Sequence, residues 1–599
     1  MTLFAASRRR LLRRFFAALL RYGISGMLAF YRMRIFGKIR EKVQNWLFSR
    51  QVDVLSAAIV LAASVLVSMI LGLVRDRTLA QFFSGDQVSL YFAAFRLPDS
   101  LFQVLVLGSL SSAFIPTFIS YISRHQEKEA WRVTSIMINF SLLAFVFFGS
   151  LVAIFANQIC TILAPGFSHA EVVLMAQLTR ILLLAEGFFV LSFFLTGVLK
   201  SFQHFLMPAL APIFYNLGII LATVFLSGTF GIYAPVFGAV LGAAAHFLIQ
   251  LPLAVKLGFR PHLSFDWKDP GVKRISKLAA PRVVEIACSQ VLPASDLFFS
   301  SLVSTASYGY LTFATHLEMV PVNFFGLSLA DAALPALAYK QGNEKEFRTL
   351  FFSIFRQIIF LALPVAMAFI VLRIPLVRLA FGAAKFTWNS TVLTAYTLSL
   401  FALGIVGQAL TLYFVRTFYA LQDTITPVIV GVADILFDIS LSAYFIIVLK
   451  LPIWGLGLSS ATASLIQALV LAVILIRRRG LPFFEFLTPS LKVLLATLSS
   501  GGVMYFIMKV MDRSAWDKRL SFLGRFALPE QYAKFVLDTH YTKNLIILTL
   551  LVSVVGALIY LGVCRLLKVR ETSMLSKILR KVPLLGRFRV PAQIVQHED

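Results

Sequence analysis

Apolar residues in this chain come in runs long enough to cross a bilayer, separated by short polar stretches. The runs lie near 53–74, 88–117, 132–156, 172–199, 208–227, 233–255, 275–302, 310–338, 350–372, 391–420, 427–448, 454–476, 490–510 and 544–564. Each is near or above the ~20 residues that a helix needs to span a hydrocarbon core. A helix satisfies its backbone polar groups within the segment, which lipid cannot do for it. The pattern therefore predicts an all-α polytopic membrane protein of about fourteen transmembrane helices.

Composition agrees. Hydrophobic residues make up 59% of the 599, and the mean hydropathy is +0.84. A soluble domain of this size needs far more polar surface. Only 14% of residues are charged, yet the net charge is +27. Such a basic balance also occurs in nucleic-acid-binding proteins, but no nucleic-acid module is present, and that class is excluded. Cys160, Cys288 and Cys564 show neither pairing nor metal-ligand spacing and read as small apolar side chains.

The positive charge is placed where membrane topology asks for it. Residues 1–50 hold twelve Lys or Arg and one acid, Glu41. Ser7-Arg8-Arg9 resembles a twin-arginine signal only superficially, because Arg13, Arg14 and Arg21 interrupt any apolar core. The segment reads as a basic cytoplasmic arm lying on anionic phospholipids. Alternate loops carry the remaining excess: Arg124, Lys128 and Arg132; Lys256, Arg260, Lys268, Lys273, Arg274 and Lys277; Lys340, Lys345 and Arg348; Arg477, Arg478 and Arg479. The loops 227–232 and 303–309 have none. With the tail cations Arg565, Lys568, Arg570, Lys577, Arg580 and Lys581, the asymmetry puts both termini in the cytoplasm.

A duplication underlies the pattern. Pro116 and Pro335 are 219 residues apart, as are Phe167 and Phe386, and as are Pro208 and Pro427 after the matching words Leu199 to Gln203 and Phe418 to Gln422. One offset across three separated features implies two copies in the same membrane orientation. The expected organisation is a basic arm (1–50), a first six-helix lobe (51–256), a second six-helix lobe (257–480), two further helices (481–565) with a periplasmic insert (511–543), and a basic tail (566–599). Two such lobes leave a cleft between them, the architecture of alternating access.

Several local words occur in order: Leu71-Gly-Leu-Val-Arg-Asp76, Ala94-Phe-Arg-Leu-Pro-Asp99, Gly108 to Pro116, Ala164-Pro-Gly-Phe167, Leu278-Ala-Ala-Pro-Arg282 and Val415 to Thr424. Together they resemble the MurJ/MviN lipid II flippases of the multidrug/oligosaccharidyl-lipid/polysaccharide exporter superfamily, over roughly residues 50–565. The resemblance implies a non-enzymatic carrier of lipid II, the undecaprenyl-pyrophosphate-linked disaccharide-pentapeptide of peptidoglycan biosynthesis. It also implies a bacterial inner-membrane location beside the cell-wall synthesis machinery. The chain departs from the family pattern at Met69, Ser89, Phe102 and His316, where the family has Arg, an acid, Arg and Arg.

A pyrophosphate headgroup calls for donors of positive charge, for which Arg is best suited. Arg75, Asp76 and Arg96 retain the family pattern, and His316 occupies the position of a cavity arginine. These four are the expected substrate-binding residues. Arg77 is read as an anchor at the end of its helix. A second set points to a cation. Asp434 and Asp438 are four apart on one helix face, Asp296 follows Pro293 by one turn, and Thr462 lies on the twelfth run. Carboxylates at that depth need a proton, a cation or a basic partner. Hard oxygen donors suit Na⁺ or H⁺, and the resemblance implies sodium between the same helices. The alternatives are a flippase for another polyprenyl-linked oligosaccharide, a cation-coupled drug exporter, and an enzyme acting on polyprenyl lipids. The enzyme would need clustered acids on an outer loop or a histidine cluster, and the sequence has neither.

Overall fold

The structure is a computed structural model; it describes residues 54–107, 113–513 and 536–573. The basic arm, the Gly108 end of its word, most of the 511–543 insert and the end of the tail lie outside the described residues.

The first lobe runs α1 (Val54–Phe82), α2 (Gly85–Phe102), α3 (Ile115–Ile122), α4 (Glu127–Ile154), α5 (Ala156–Leu163), α6 (His169–Ser201), α7 (Leu206–Phe230), α8 (Tyr233–Leu248) and α9 (Leu251–Lys256). The second runs α10 (Pro270–Ser289), α11 (Val291–Val303), α12 (Ser307–Pro321), α13 (Ser328–Tyr339), α14 (Glu344–Val371), α15 (Arg373–Phe381), α16 (Trp388–Ala420), α17 (Ile425–Ala443) and α18 (Trp454–Arg479). The last two helices are α19 (Phe483–Met511) and α20 (Thr542–Leu566). Among the described residues twelve helical stretches, from Glu127–Ile154 onward, are long and apolar enough to cross a membrane. Ahead of them stand α1 and α2, which carry Arg75, Asp76 and Arg77, and Asp86, Arg96 and Asp99. The order is that of the predicted runs.

The 219-residue offset is written into the backbone. The capping side chains Ser168 and Thr387 start α6 and α16, accepting from the amides of Glu171 and Ser390. Both helices are 33 residues long and end in the same turn. Gln203 and Gln422 each take φ 63°, a left-handed conformation in which a side chain is crowded against its own backbone. The same turn bonds hold them: His204 N to Leu199 O at 2.9 Å, and Asp423 N to Phe418 O at 3.0 Å. Wide π turns recur as well, at Gln103–Leu107 and Val322–Leu327.

Pro293 explains the division of the seventh span. It has no N–H to give the Ser289 carbonyl, so α10 stops at Ser289 and α11 starts at Val291. The freed half-helix α10 leans onto the first lobe. Val272, Ile275 and Ala279 join the core made by Phe118, Trp131 and Ile136. Arg132 reaches Asp266 at 2.9 Å and Asp269 at 3.8 Å.

Packing differs between the two ends of the bundle. At the end bearing loops 83–84, 164–168 and 304–306, the lobes share one core, in which Leu79, Tyr91 and Met175 meet Leu297, Phe313 and Phe381. At the opposite end each lobe has its own core. That of the second lobe extends onto the final helices through Phe486, Val493 and Tyr560.

Candidate functional site

Between the lobes, below the shared core, lies a cavity of about 580 Å³. The first lobe contributes Arg75, Tyr91, Phe95, Arg96, Asp99, Phe102, Gln103, Glu186 and Tyr215; the second contributes Pro293, Asp296, Tyr308, Thr312, Thr315 and His316. Eight of the nineteen lining residues are Phe or Tyr, so the charged groups act in a poorly solvated space.

α1 ends its apolar stretch with Arg75 and Asp76, and they point inward together. Asp76 is 1% exposed. Arg75 donates to its Oδ1 from Nε at 3.0 Å and from Nη2 at 2.9 Å, and uses Nη1 on Asn216 Oδ1 at 3.3 Å. His316 Nδ1 stands 2.7 Å from Asp76 Oδ2. Asp76 is thus the buried link between the lobes, and it holds Arg75 and His316 side by side at the cavity wall. Residues 240 positions apart in sequence are joined by one carboxylate.

Arg96 lies one turn below Phe92 on α2. Its partners are neutral: Gln290 Oε1 at 2.8 Å and Ser100 Oγ at 3.2 Å, both from Nη2. Gln290 in turn donates to Gln103 Oε1 at 3.0 Å. This chain ties the π turn of the first lobe to the break between α10 and α11. Asp99 and Glu186 are in hydrogen-bond contact with each other on the same side. The first-lobe wall therefore presents two arginines and two carboxyls rather than arginines alone.

Arg77 is elsewhere. It donates to Leu379 O at 2.8 Å, fastening α1 to α15 at the shared-core end. Arg282 and Glu285 form a pair at 2.6 Å, outside the cavity. Asp331 is exposed and bound to Arg416 at 2.8 Å.

The acids of the second set lie around Asp438, whose charge both Asp296 and Asp434 feel. Asp296 faces the cavity. Asp438 is buried on α17, accepting from Ser442 Oγ at 3.4 Å, and Ser442 meets Ser459 of α18 at 2.7 Å. Asp434 is half-buried one turn earlier. Thr462 turns its hydroxyl to the Leu458 carbonyl in its own helix, at 2.7 Å. Among the described residues no group of three or more His, Cys, Asp and Glu is arranged to hold a metal ion. The helices themselves do meet, since α11 packs against both α17 and α18.

The sequence reading missed Asn216, Gln103, Gln290, Ser100, Tyr91 and Tyr308. Their signal is weak: single polar groups in apolar runs, meaningful only when brought to one wall. Of the four departures, Phe102 lines the cavity, while Ser89 is fully buried with its hydroxyl unpartnered. Met69 is partly exposed.

Two pseudo-symmetric helical lobes around a charged interlobe cavity define a membrane transporter of the exporter superfamily anticipated from the local words. The family model described as lipid II flippase MurJ matches residues 79–526. The chain belongs to the MurJ family. The probable lipid II flippase MurJ of Buchnera aphidicola subsp. Acyrthosiphon pisum is 27% identical over 474 residues, covering 78% of this chain and 92% of the relative. The lipid II flippase MurJ of Burkholderia cenocepacia is 26% identical over 464 residues, covering 75% and 89%. Among solved structures, a lipid II flippase MurJ in an inward closed conformation superposes with a TM-score of 0.66 at 24% identity, covering 84% of this chain and 98% of that one. An inward-facing multidrug resistance MATE transporter of the MOP superfamily gives 0.56 at 14% identity, covering 69% and 94%.

Proposed function

We propose that this protein moves lipid II across the bacterial inner membrane by alternating access, as transport rather than catalysis. The observation that carries the reading is the interlobe arginine pair. Arg75 is preset by Asp76 with His316 beside it, and Arg96 donates to the neutral acceptors Gln290 and Ser100, with the carboxyls of Asp99 and Asp296 as its nearby charges. A pyrophosphate supplies the matching anion. The headgroup would lie against Arg75, Arg96 and His316, with the undecaprenyl chain leaving between the lobes into lipid.

The basic loops support an orientation with both termini in the cytoplasm. On that reading the shared core is the periplasmic gate, and the protein stands closed to the outside. Anionic phospholipids would receive the basic arm, and the cell-wall synthesis machinery would use the delivered precursor. Coupling to Na⁺ or H⁺ is part of the proposal. Asp438, with the hydroxyls of Ser442 and Ser459, offers hard oxygen donors between α17 and α18, and Asp296 and Asp434 flank them. A bound cation would favour one arrangement of the second lobe and so bias the rocking equilibrium.

The acids Asp99 and Glu186 favour a second reading, a cation exporter. One experiment separates the two. The chain is expressed in a strain depleted of its own lipid II flippase, and the lipid II accumulated on each face is measured. Restored growth with normal precursor distribution supports flipping. Failure to restore either, with the protein inserted at normal level, rejects it.

A further inference from the structure

Gln290 stands where the chain changes lobes. α10 packs on the first lobe through Val272, Ile275 and Ala279, and α11 packs on α12 and α17 of the second. The backbone at this joint is weakly tied. Pro293 gives the Ser289 carbonyl no N–H, and the Gln290 amide is shared between the carbonyls of Ile286 at 3.1 Å and Ala287 at 3.2 Å. The Gln290 side chain supplies what the helical ladder lacks. Its Oε1 accepts from Arg96 Nη2 at 2.8 Å and from Ser100 Oγ at 3.4 Å, and its Nε2 donates to Gln103 Oε1 at 3.0 Å. An arginine only donates, so the carboxamide must turn its oxygen to Arg96 and its NH2 to Gln103. Both partners belong to the first lobe, Arg96 to α2 and Gln103 to the π turn that follows it.

Gln290 does not line the interlobe cavity, whereas Arg96, Gln103 and Pro293 do. A ligand in the cavity therefore reaches Gln290 only through its partners. The hydrogen-bond acceptors of the Arg96 guanidinium are Ser100, Gln290 and the Tyr308 hydroxyl, all neutral, with the carboxyls of Asp99 and Asp296 nearby. A phosphate oxygen bonds a guanidinium more strongly than a carboxamide oxygen does, because both partners are charged and a second, parallel bond is available. An anion at Arg96 thus competes for the Nη2 that holds Gln290.

We propose that Gln290 is a positioning residue of the carrier: it aims Arg96 into the cavity, and an anionic headgroup that takes Arg96 from it releases the joint between α10 and α11. The proposal rests on the reading of Arg96 as a headgroup ligand. Before binding, the Gln290 carboxamide holds the guanidinium at the cavity wall and ties α11 to α2. After binding, Nη2 turns to the phosphate and Oε1 loses its charged donor. α11 is then free to move with the second lobe while α10 stays with the first. Recognition of the headgroup and the freedom of the lobes to rock are linked through one side-chain bond.

The test uses the full-length chain in neutral detergent, with lipid II as the probe. Hydrogen exchange read by mass spectrometry follows the backbone amides of residues 286–297, and a binding titration gives the affinity for lipid II. Gln290→Met keeps the length of the side chain and removes both polar ends; Gln290→Glu keeps the acceptor and charges it. Thermal unfolding checks that each variant is folded. Without lipid II, Gln290→Met and Arg96→Gln should each raise exchange across the joint severalfold, and the double variant should raise it by less than the product of the two effects. With saturating lipid II, wild-type exchange should rise to the Gln290→Met level, while Gln290→Met itself stays unchanged. Gln290→Glu should remain protected without lipid II, and its affinity for lipid II should fall by roughly tenfold, because the headgroup then competes with a charge. A residue that only packs the joint would send the Met and Glu variants the same way in exchange. Full multiplication of the single effects in the double variant overturns the proposal, as does lipid II bound to the wild type with exchange unchanged. Failure of lipid II to bind the wild type rejects the transport reading and the release step with it; the double variant still decides whether Gln290 holds Arg96. If Gln290→Met is unfolded, Gln290→Glu alone decides, and an unchanged affinity for lipid II rejects the positioning role.

Discussion

Asp76 is the residue on which the candidate site turns. It is buried, and its two oxygens are divided between Arg75 of its own helix and His316 of the other lobe. A hydrogen bond to a charged group contributes about 1.5–3 kcal/mol, and losing one partner leaves buried charge uncompensated. Arg75→Ala should therefore abolish transport, lowering it by more than tenfold, while the protein still inserts; growth complementation with an immunoblot of the membrane fraction checks both. Retained activity would remove the headgroup role from Arg75. His316→Arg keeps a donor toward Asp76 and should preserve transport. His316→Leu removes the donor and should lower it severalfold in the same assay. Arg77→Ala loses one bond to the Leu379 carbonyl and should have the milder effect. For the proposed cation site, Asp438→Asn should weaken sodium- or proton-dependent transport in reconstituted vesicles without lowering thermal stability. An unchanged ion dependence would dismiss Asp438 as a ligand. Arg75, Asp76 and Arg96 were legible as intramembrane charges in specific words. Asn216 and Gln290 were not, because a neutral amide in an apolar run acquires meaning only from what it faces.

At the scale of elements, the helices were legible in place and order because bilayer thickness sets their minimum length, while ends such as Phe82 and Phe483 lie well beyond the apolar runs. The sequence offset of 219 residues became matched caps and matched left-handed glutamines. Neither the π turns nor the close approach of α7 to α8 was evident from the apolar pattern. Gly218, on α7, has no room for a side chain: an added Cβ would sit 2.6 Å from the Gly242 Cα and 2.8 Å from the Gly238 carbonyl. Small residues let helices in lipid approach until their backbones touch. Gly218→Val should separate α7 from α8, with an overpacking cost of about 1–3 kcal/mol. A fall of several degrees in the unfolding temperature in detergent would show it. Gly228→Ala, with nothing within 4 Å of the added atom, should leave the temperature unchanged. Equal melting of both variants would refute the packing argument.

At the scale of the whole molecule, the shared core at one end and the separate cores at the other describe a carrier caught in one of its states. Gly166 is at the shared end, with its amide on Ser301 Oγ at 3.2 Å; an added Cβ would collide with the Ser301 backbone. Gly166→Val should wedge this gate apart and stop transport at normal membrane level, read as lipid II accumulation. Normal flux through that variant would show that the contact is not needed. Reporter fusions after residue 480 should read cytoplasmic, and fusions within 511–543 periplasmic; the reverse pattern would invert the gate assignment.

The sequence by itself determined the all-α membrane class, the order of the helices, the duplication and the family. These follow from local quantities: run length against bilayer thickness, charge on short loops, and words repeated at one offset. Only the tertiary structure decided that α10 crosses to the first lobe, that one carboxylate joins Arg75 to His316, and that Asp296 faces the cavity while Asp438 meets Ser442. The physical reason is common to all three. In a lipid-facing bundle every helix has much the same apolar exterior, so periodicity does not say which polar groups face one another; the rotation and tilt of packed helices do.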